Sequence, residues 1–219
     1  MVELIRGLDP ARVAANLSRV RDQLEEAAPG RRVRILAATK YVPDEELPAL
    51  AAGGVELVGE NRAQDLERKV AAHGELFEWH FIGRLQSRKV KAIVPHVTLI
   101  HSLASESALA QLGAHAASAH PGLRVLLEVN VAGEGGKAGI APEEIASYVE
   151  RCPLPVAGLM TMPPLAGDPE QSRPWFRALR ELAAEHGLPE LSMGTSQDFR
   201  VAAEEGATIV RIGTTLYDQ

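Results

Sequence analysis

The feature that most constrains this chain is a rhythm. Eight short β-branched or apolar runs recur along it, near residues 33–39, 54–58, 77–82, 97–100, 124–131, 156–160, 189–192 and 207–212. Between them lie stretches with apolar residues at helical spacing, near 44–52, 61–73, 86–94, 105–119, 142–151, 170–186 and 197–205. Strands that alternate with helices pair in parallel, because a parallel connection has to cross back over the sheet and a helix makes that crossing. Eight such units in 219 residues predict an α/β fold in a single domain over residues 1–219, a (β/α)8 TIM-type barrel. A doubly wound open sheet is the alternative, but no GxGxxG fingerprint follows the first run. An extra N-terminal helix is expected over 10–27. Val13, Leu17, Val20 and Leu24 share one face of it, Asp9 and Pro10 supply a cap and a first-turn proline, and Pro29-Gly30 stops it.

Charge and composition then narrow the functions. A net charge of −6 argues against broad nucleic-acid binding. The basic stretch Arg84, Arg88, Lys89 and Lys91 reads as a solvated helix face or a local anion site. No run approaches the roughly 18 apolar residues of a membrane span. Residues Met1 to Arg6 lack the apolar centre of a signal peptide, so a cytoplasmic location is expected. Cys152 is the only cysteine, which excludes an internal disulfide, and the seven histidines show no HExxH-type spacing, so no metal site is expected.

In a barrel of this kind chemistry collects at the C-terminal ends of the strands. Lys40 closes the first run. Partial burial there favours a neutral amine that can attack a carbonyl, whereas the plainer alternative is an ammonium reaching water. Gly59-Glu60-Asn61 follows the second run, His80 and Gly83 stand at the third, and His101-Ser102 at the fourth. Glu128 and Asn130 lie on the fifth, before a loop with Glu134 and Lys137. The seventh leads into Ser192-Met193-Gly194-Thr195-Ser196, and the eighth into Arg211-Ile212-Gly213-Thr214-Thr215.

Those last two turns look built for a phosphate. Glycine admits a ligand close to the backbone, Ser196 is expected to cap a helix starting near Gln197, and the first amides of a helix attract an anion. A ligand carrying an aldehyde for Lys40 and a phosphate for the turns fits both ends. Pyridoxal 5′-phosphate fits that description, and so does the sugar-phosphate substrate of a Schiff-base aldolase. Arg211 bears on the choice. An arginine can meet a pyridine nitrogen but cannot accept its proton, so the ring would remain a weak electron sink.

Taken in order, the segments carry a resemblance. They are Leu36-Ala37-Ala38-Thr39-Lys40, Gly59-Glu60-Asn61, Trp79-His80-Phe81-Ile82-Gly83, His101-Ser102-Leu103, Glu128-Val129-Asn130, Lys137-Ala138-Gly139-Ile140, Gly158-Leu159-Met160, Leu191-Ser192-Met193-Gly194 with Ser196, and Arg211-Ile212-Gly213-Thr214. Together they resemble the pyridoxal phosphate homeostasis protein family, which shares the alanine racemase N-terminal barrel. The resemblance implies that Lys40 holds the cofactor as an internal aldimine. It implies that Ser196, Gly213 and Thr214 hold the phosphate, with Met193 and Gly194 also among the cofactor-binding residues, that Arg211 faces the ring nitrogen, and that Asn61 and the strand-three segment with His80 line the ring. Lys137 matches a position implicated in cofactor handling. The implied role is to bind, buffer and deliver pyridoxal phosphate, with PLP-dependent apoenzymes as recipients and no established catalysis. The enzyme-class alternative is a racemase-like protein of low activity. It would need a second acid/base, and Tyr41, Tyr148 and Tyr217, the only tyrosines, fall in none of the matching segments. With no racemase-type second domain, a monomer is expected.

Overall fold

The computed structural model describes residues 4–218. Its strands are β1 (Arg34–Ala38), β2 (Leu57–Glu60), β3 (Glu78–Phe81), β4 (Leu99–Leu103), β5 (Arg124–Glu128), β6 (Val156–Met160), β7 (Glu190–Thr195) and β8 (Ile209–Ile212). Each pairs in parallel with its neighbours in chain order, and β1 pairs with β8, so the sheet closes into the expected barrel. The helices are α1 (Pro10–Ala27), α2 (Leu47–Ala52), α3 (Ala63–His73), α4 (Val90–Ile93), α5 (Glu106–His115), α6 (Ile145–Arg151), α7 (Arg173–Glu185), α8 (Phe199–Glu204) and α9 (Thr214–Tyr217). None of the helices among the described residues is long and apolar enough to cross a membrane.

Several boundaries differ from the sequence reading, among them β5, which ends at Glu128, and β7, which runs on to Thr195. Three of the differences have a plain local reason. The stretch 54–55 is a turn that returns Val55 N–H to Leu50 O after α2, so β2 starts only at Leu57. The expected helix over 86–94 opens as a single tight turn, Ser87–Lys89, before α4. The helix expected from Gln197 begins at Phe199, because the Asp198 carboxylate accepts the Thr195 N–H (2.7 Å) and hydroxyl (3.1 Å) and holds that corner as a turn.

Strand residues alternate between two cores. Outward-facing side chains join the helices in one large apolar layer, including Leu66, Ile93, Leu112, Phe176, Leu179 and Met193. Inward-facing Leu36, Leu57, Leu99, Leu126, Met160 and Ile209 fill the barrel. Alternate strands of a barrel contribute side chains at the same level. At the N-terminal end β1, β3, β5 and β7 contribute Arg34, Glu78, Arg124 and Glu190, which form the ion pairs Arg34–Glu78 and Arg124–Glu190. Helix α1 begins as expected, with the Asp9 carboxylate accepting the Ala11 N–H at 3.0 Å. It packs on α8 and α9. Its buried Asn16 donates to Leu216 O (3.3 Å) and Asp218 O (3.0 Å), tying down the end of the chain's last helix.

Candidate functional site

The C-terminal mouth of the barrel is assembled from three groups of contacts. The first surrounds Lys40. Strand β1 ends at Ala38, and the buried Thr39 sends its hydroxyl to Glu60 Oε1 (2.7 Å) and its N–H to Gly59 O (3.0 Å). Lys69 reaches in from α3, fully buried, to donate to Thr39 O (2.8 Å) and to pair with Glu60. The second Glu60 oxygen accepts the Asn61 N–H at 3.1 Å. One buried ion pair therefore fixes the backbone immediately before Lys40 and immediately before Asn61. Lys40 itself is exposed, with Nζ 4.8 Å from the centre of the Tyr41 ring. This corrects the expected partial burial. Thr39 is buried against Glu60 and Lys69 on the helix side of the strand, and Lys40 begins the turn beyond it.

Asn61 is half-buried on the neighbouring strand end, and its Oδ1 is buried with no hydrogen-bond partner among the described residues. Its backbone lies so close to Gly83 that a Cβ there would run into it. Tyr217, from α9, donates its hydroxyl to Ala38 O at 3.0 Å, and burial raises the pKa of that phenol.

The second group is the pair of glycine turns. Gly194 adopts φ +89, and a Cβ at that position would stand 2.5 Å from Ala202 Cβ, so only glycine fits. The Ser196 hydroxyl does not cap α8. It accepts the Gly213 N–H at 3.1 Å and so holds the two turns against each other. Thr214 is exposed at the start of α9. The register Ala37↔Ile212 sets Gly213 and Thr214 on the strand end beside Lys40. Met193 is the exception among these residues: strand alternation turns its side chain outward into the layer beneath the helices, so only its backbone belongs to the turn.

The third group centres on Arg211, which is nine-tenths buried. Nη1 donates to Ser192 O (2.8 Å) and Ser192 Oγ (2.6 Å), while Nη2 donates to Thr161 O (3.0 Å) and Met162 Sδ (2.8 Å). Four of its five N–H donors are thus spoken for, and Nε has no hydrogen-bond partner among the described residues. Burial lowers its pKa to about 10, opposed by the carboxylates of Asp198 and Glu128, so it remains a cation at neutral pH. Burial also raises the Glu128 pKa, with Arg211 and Arg84 opposing. Arg84 and Arg88 border a cleft of about 420 Å³ beside the mouth, together with Ser102, Ser105 and Glu128.

His80 is not at the mouth. Its ring is fully buried inside the barrel, with Nδ1 2.9 Å from His101 Nε2 and Nε2 3.0 Å from Glu78 Oε1. Lys137 stays within the loop after β5, paired with Glu134. Sequence reasoning placed Glu60 and Ser192 at strand ends and weighed Tyr217 as a base, but gave none of them its organising role, and it did not single out Lys69 or Thr161. Lys69 had a signal, since it lies three residues after Leu66 on the inner face of α3. Ser192 had one too, as a polar residue alternating with apolar Leu191 and Met193 in a buried strand.

A barrel with an amine at one strand end and paired glycine turns beside it defines the alanine racemase N-terminal class, and the model of that family, "Alanine racemase, N-terminal domain", matches residues 8–219. Within the class, the chain belongs to the pyridoxal phosphate homeostasis protein family. It is 44% identical to the pyridoxal phosphate homeostasis protein of Aquifex aeolicus over 95% of this chain and 96% of the relative. It is 37% identical to that of Pseudomonas aeruginosa over 94% of each. Among solved structures it is similar to PipY of Synechococcus elongatus with PLP bound, at 31% identity and a TM-score of 0.81, covering 94% of this chain and 99% of that one. The alanine racemase of Corynebacterium glutamicum, 18% identical with a TM-score of 0.66 over 97% of this chain and 61% of that one, shares the fold.

Proposed function

We propose that this chain binds pyridoxal 5′-phosphate at the barrel mouth and takes part in cofactor homeostasis, holding it and releasing it to apoenzymes. The observation that carries the reading is the contact between the two glycine turns, Ser196 Oγ to Gly213 N, on the strand ends beside Lys40. The residues suit the group. The turns offer amides and hydroxyls to a phosphate, and among the described residues Asn61 Oδ1 is a buried acceptor without a partner and Arg211 keeps one donor free. When bound, the cofactor supplies an aldehyde that condenses reversibly with a primary amine.

Each residue then has a defined task. Lys40, exposed in the turn just beyond β1, presents that amine. Ser196, Gly194, Gly213 and Thr214 hold the phosphate, and Asn61 lines the ring. Arg211 donates toward the ring nitrogen and keeps its own proton, so the ring draws electrons weakly. That favours storage over carbanion chemistry. The tyrosine closest to the turns supports the same reading, because the Tyr217 hydroxyl is committed to Ala38 O and is not free to act as a base. The test is loading with pyridoxal phosphate, borohydride reduction and peptide mass mapping. The wild-type protein turns yellow and gains the cofactor mass on Lys40, while Lys40→Ala gains none. A wild-type protein that stays colourless, or mass fixed on a different lysine, overturns the assignment.

A further inference from the structure

The barrel interior holds polar groups that the cofactor reading does not use. His80, His101 and Ser192 are fully or almost fully buried, and they form a continuous line from the mouth to the floor. Ser192 Oγ lies 2.6 Å from Arg211 Nη1 and 2.8 Å from His101 Nδ1. His101 Nε2 lies 2.9 Å from His80 Nδ1, and His80 Nε2 lies 3.0 Å from Glu78 Oε1.

The direction of every bond in this line follows from one end. The Glu78 carboxylate only accepts, so His80 donates to it from Nε2–H. A neutral His80 then accepts at Nδ1 from His101 Nε2–H, and a neutral His101 accepts at Nδ1 from the Ser192 hydroxyl. The Ser192 oxygen in turn accepts from Arg211, which can only donate. Both imidazoles are neutral in this arrangement. Burial, the first cause of the lowered pKa of each, agrees with that. Charged groups face the line only at its ends, with Arg211 and Glu128 above and Arg34, Arg124 and Glu190 around Glu78 below. In a low-dielectric interior each bond polarises the next, so the chain tightens as a unit.

We infer that His101 and His80 are positioning residues for Arg211, forming a one-way hydrogen-bond relay that anchors the guanidinium at the mouth to the Glu78 carboxylate on the floor. The inference rests on the proposed role of Arg211 toward the cofactor ring. Cofactor retention is then set partly by a carboxylate at the opposite end of the barrel.

Two measurements separate the relay from the cofactor reading. Nitrogen NMR of cofactor-free protein with isotope-labelled histidine reports the tautomers directly. Both His80 and His101 are expected as neutral Nε2–H forms, and an Nδ1–H form of His101 overturns the relay. The second measurement is the rate at which loaded protein loses pyridoxal phosphate on gel filtration. His101→Leu and the milder Ser192→Ala cut the line below Arg211, and each is expected to speed loss about tenfold. His101→Asn places an amide oxygen near the Nδ1 position and keeps the bond from Ser192 but falls short of His80, so its loss rate is expected between those of wild type and His101→Leu, and a rate equal to wild type overturns the anchoring to Glu78. Equal loss rates in wild type, His101→Leu and Ser192→Ala overturn the positioning role. A wild-type protein that takes up no cofactor overturns the functional reading and, with it, the role in retention. The tautomer measurement then decides the relay by itself.

Discussion

At the scale of the residue, the most consequential pair is Lys69 and Glu60. Both are essentially out of water, and each hydrogen-bonds backbone or side chains of the two segments that carry Lys40 and Asn61. Removing one partner leaves an uncompensated charge in the interior, which costs about 3–5 kcal/mol, whereas replacing both with apolar residues of similar volume removes that penalty. Lys69→Met is therefore expected to destabilise the fold by about that amount in urea titration. Lys69→Met with Glu60→Leu is expected to regain most of the loss, yet to bind cofactor poorly, because Thr39 and Asn61 lose their common anchor. This residue pair also marks a limit of sequence reading. Lys40 and the glycine turns were legible because strand ends and glycine-rich corners announce themselves locally. The partners of Lys69 sit at Thr39 and Glu60, and nothing short of the folded barrel brings them together. Ser192 and His101 are the same case: a polar residue inside an apolar strand is visible as an exception, but its partner on another strand is not.

At the scale of the element, apolar periodicity located all eight strands and the helices between them, while their ends shifted by a few residues, in places because turn chemistry decides the boundary. Asp198 shows how. Its carboxylate captures Thr195, delays α8 to Phe199, and frees Ser196 from capping duty so that its hydroxyl can meet Gly213. The side chain of Met193 shows the other weakness of motif reading, since a matching segment carries outward and inward residues alike. Helix α1 offers a contrast that can be measured. Asp9→Ala removes an N-cap and is expected to cost about 1 kcal/mol with no effect at the mouth. Asn16→Ala removes the two bonds to α9 and is expected to cost about 1–3 kcal/mol. It should also speed amide hydrogen exchange at Leu216, Tyr217 and Asp218. Unchanged exchange at those amides would show that α9 is held by packing alone.

At the scale of the whole molecule, the buried line through the barrel makes stability depend on pH. His80 and His101 have pKa values below the ordinary 6.5 in the folded state, so the unfolded chain takes up protons first as the pH drops. Their contribution is complete above 6.5 and is lost as the pH falls below it. Glu78, lowered to about 2 chiefly by its bond to His80, adds a second loss as the pH falls below 4.5. Glu128, raised by burial, works in the opposite sense and is relieved by protonation. Melting temperature is therefore expected to be level down to about pH 7 and to fall by about pH 5, with a shallower decline in His101→Asn. A level profile across that range would remove the neutral histidines from the account of stability.

The seam that completes the ring joins residues 34–37 to residues 209–212. Synthesis runs from the N-terminus, so Lys40 leaves the ribosome long before Ser196 and Gly213. On the proposed roles, a half-made chain carries the Lys40 amine without the turns that seat a phosphate, so tight capture waits until translation has passed the final strand.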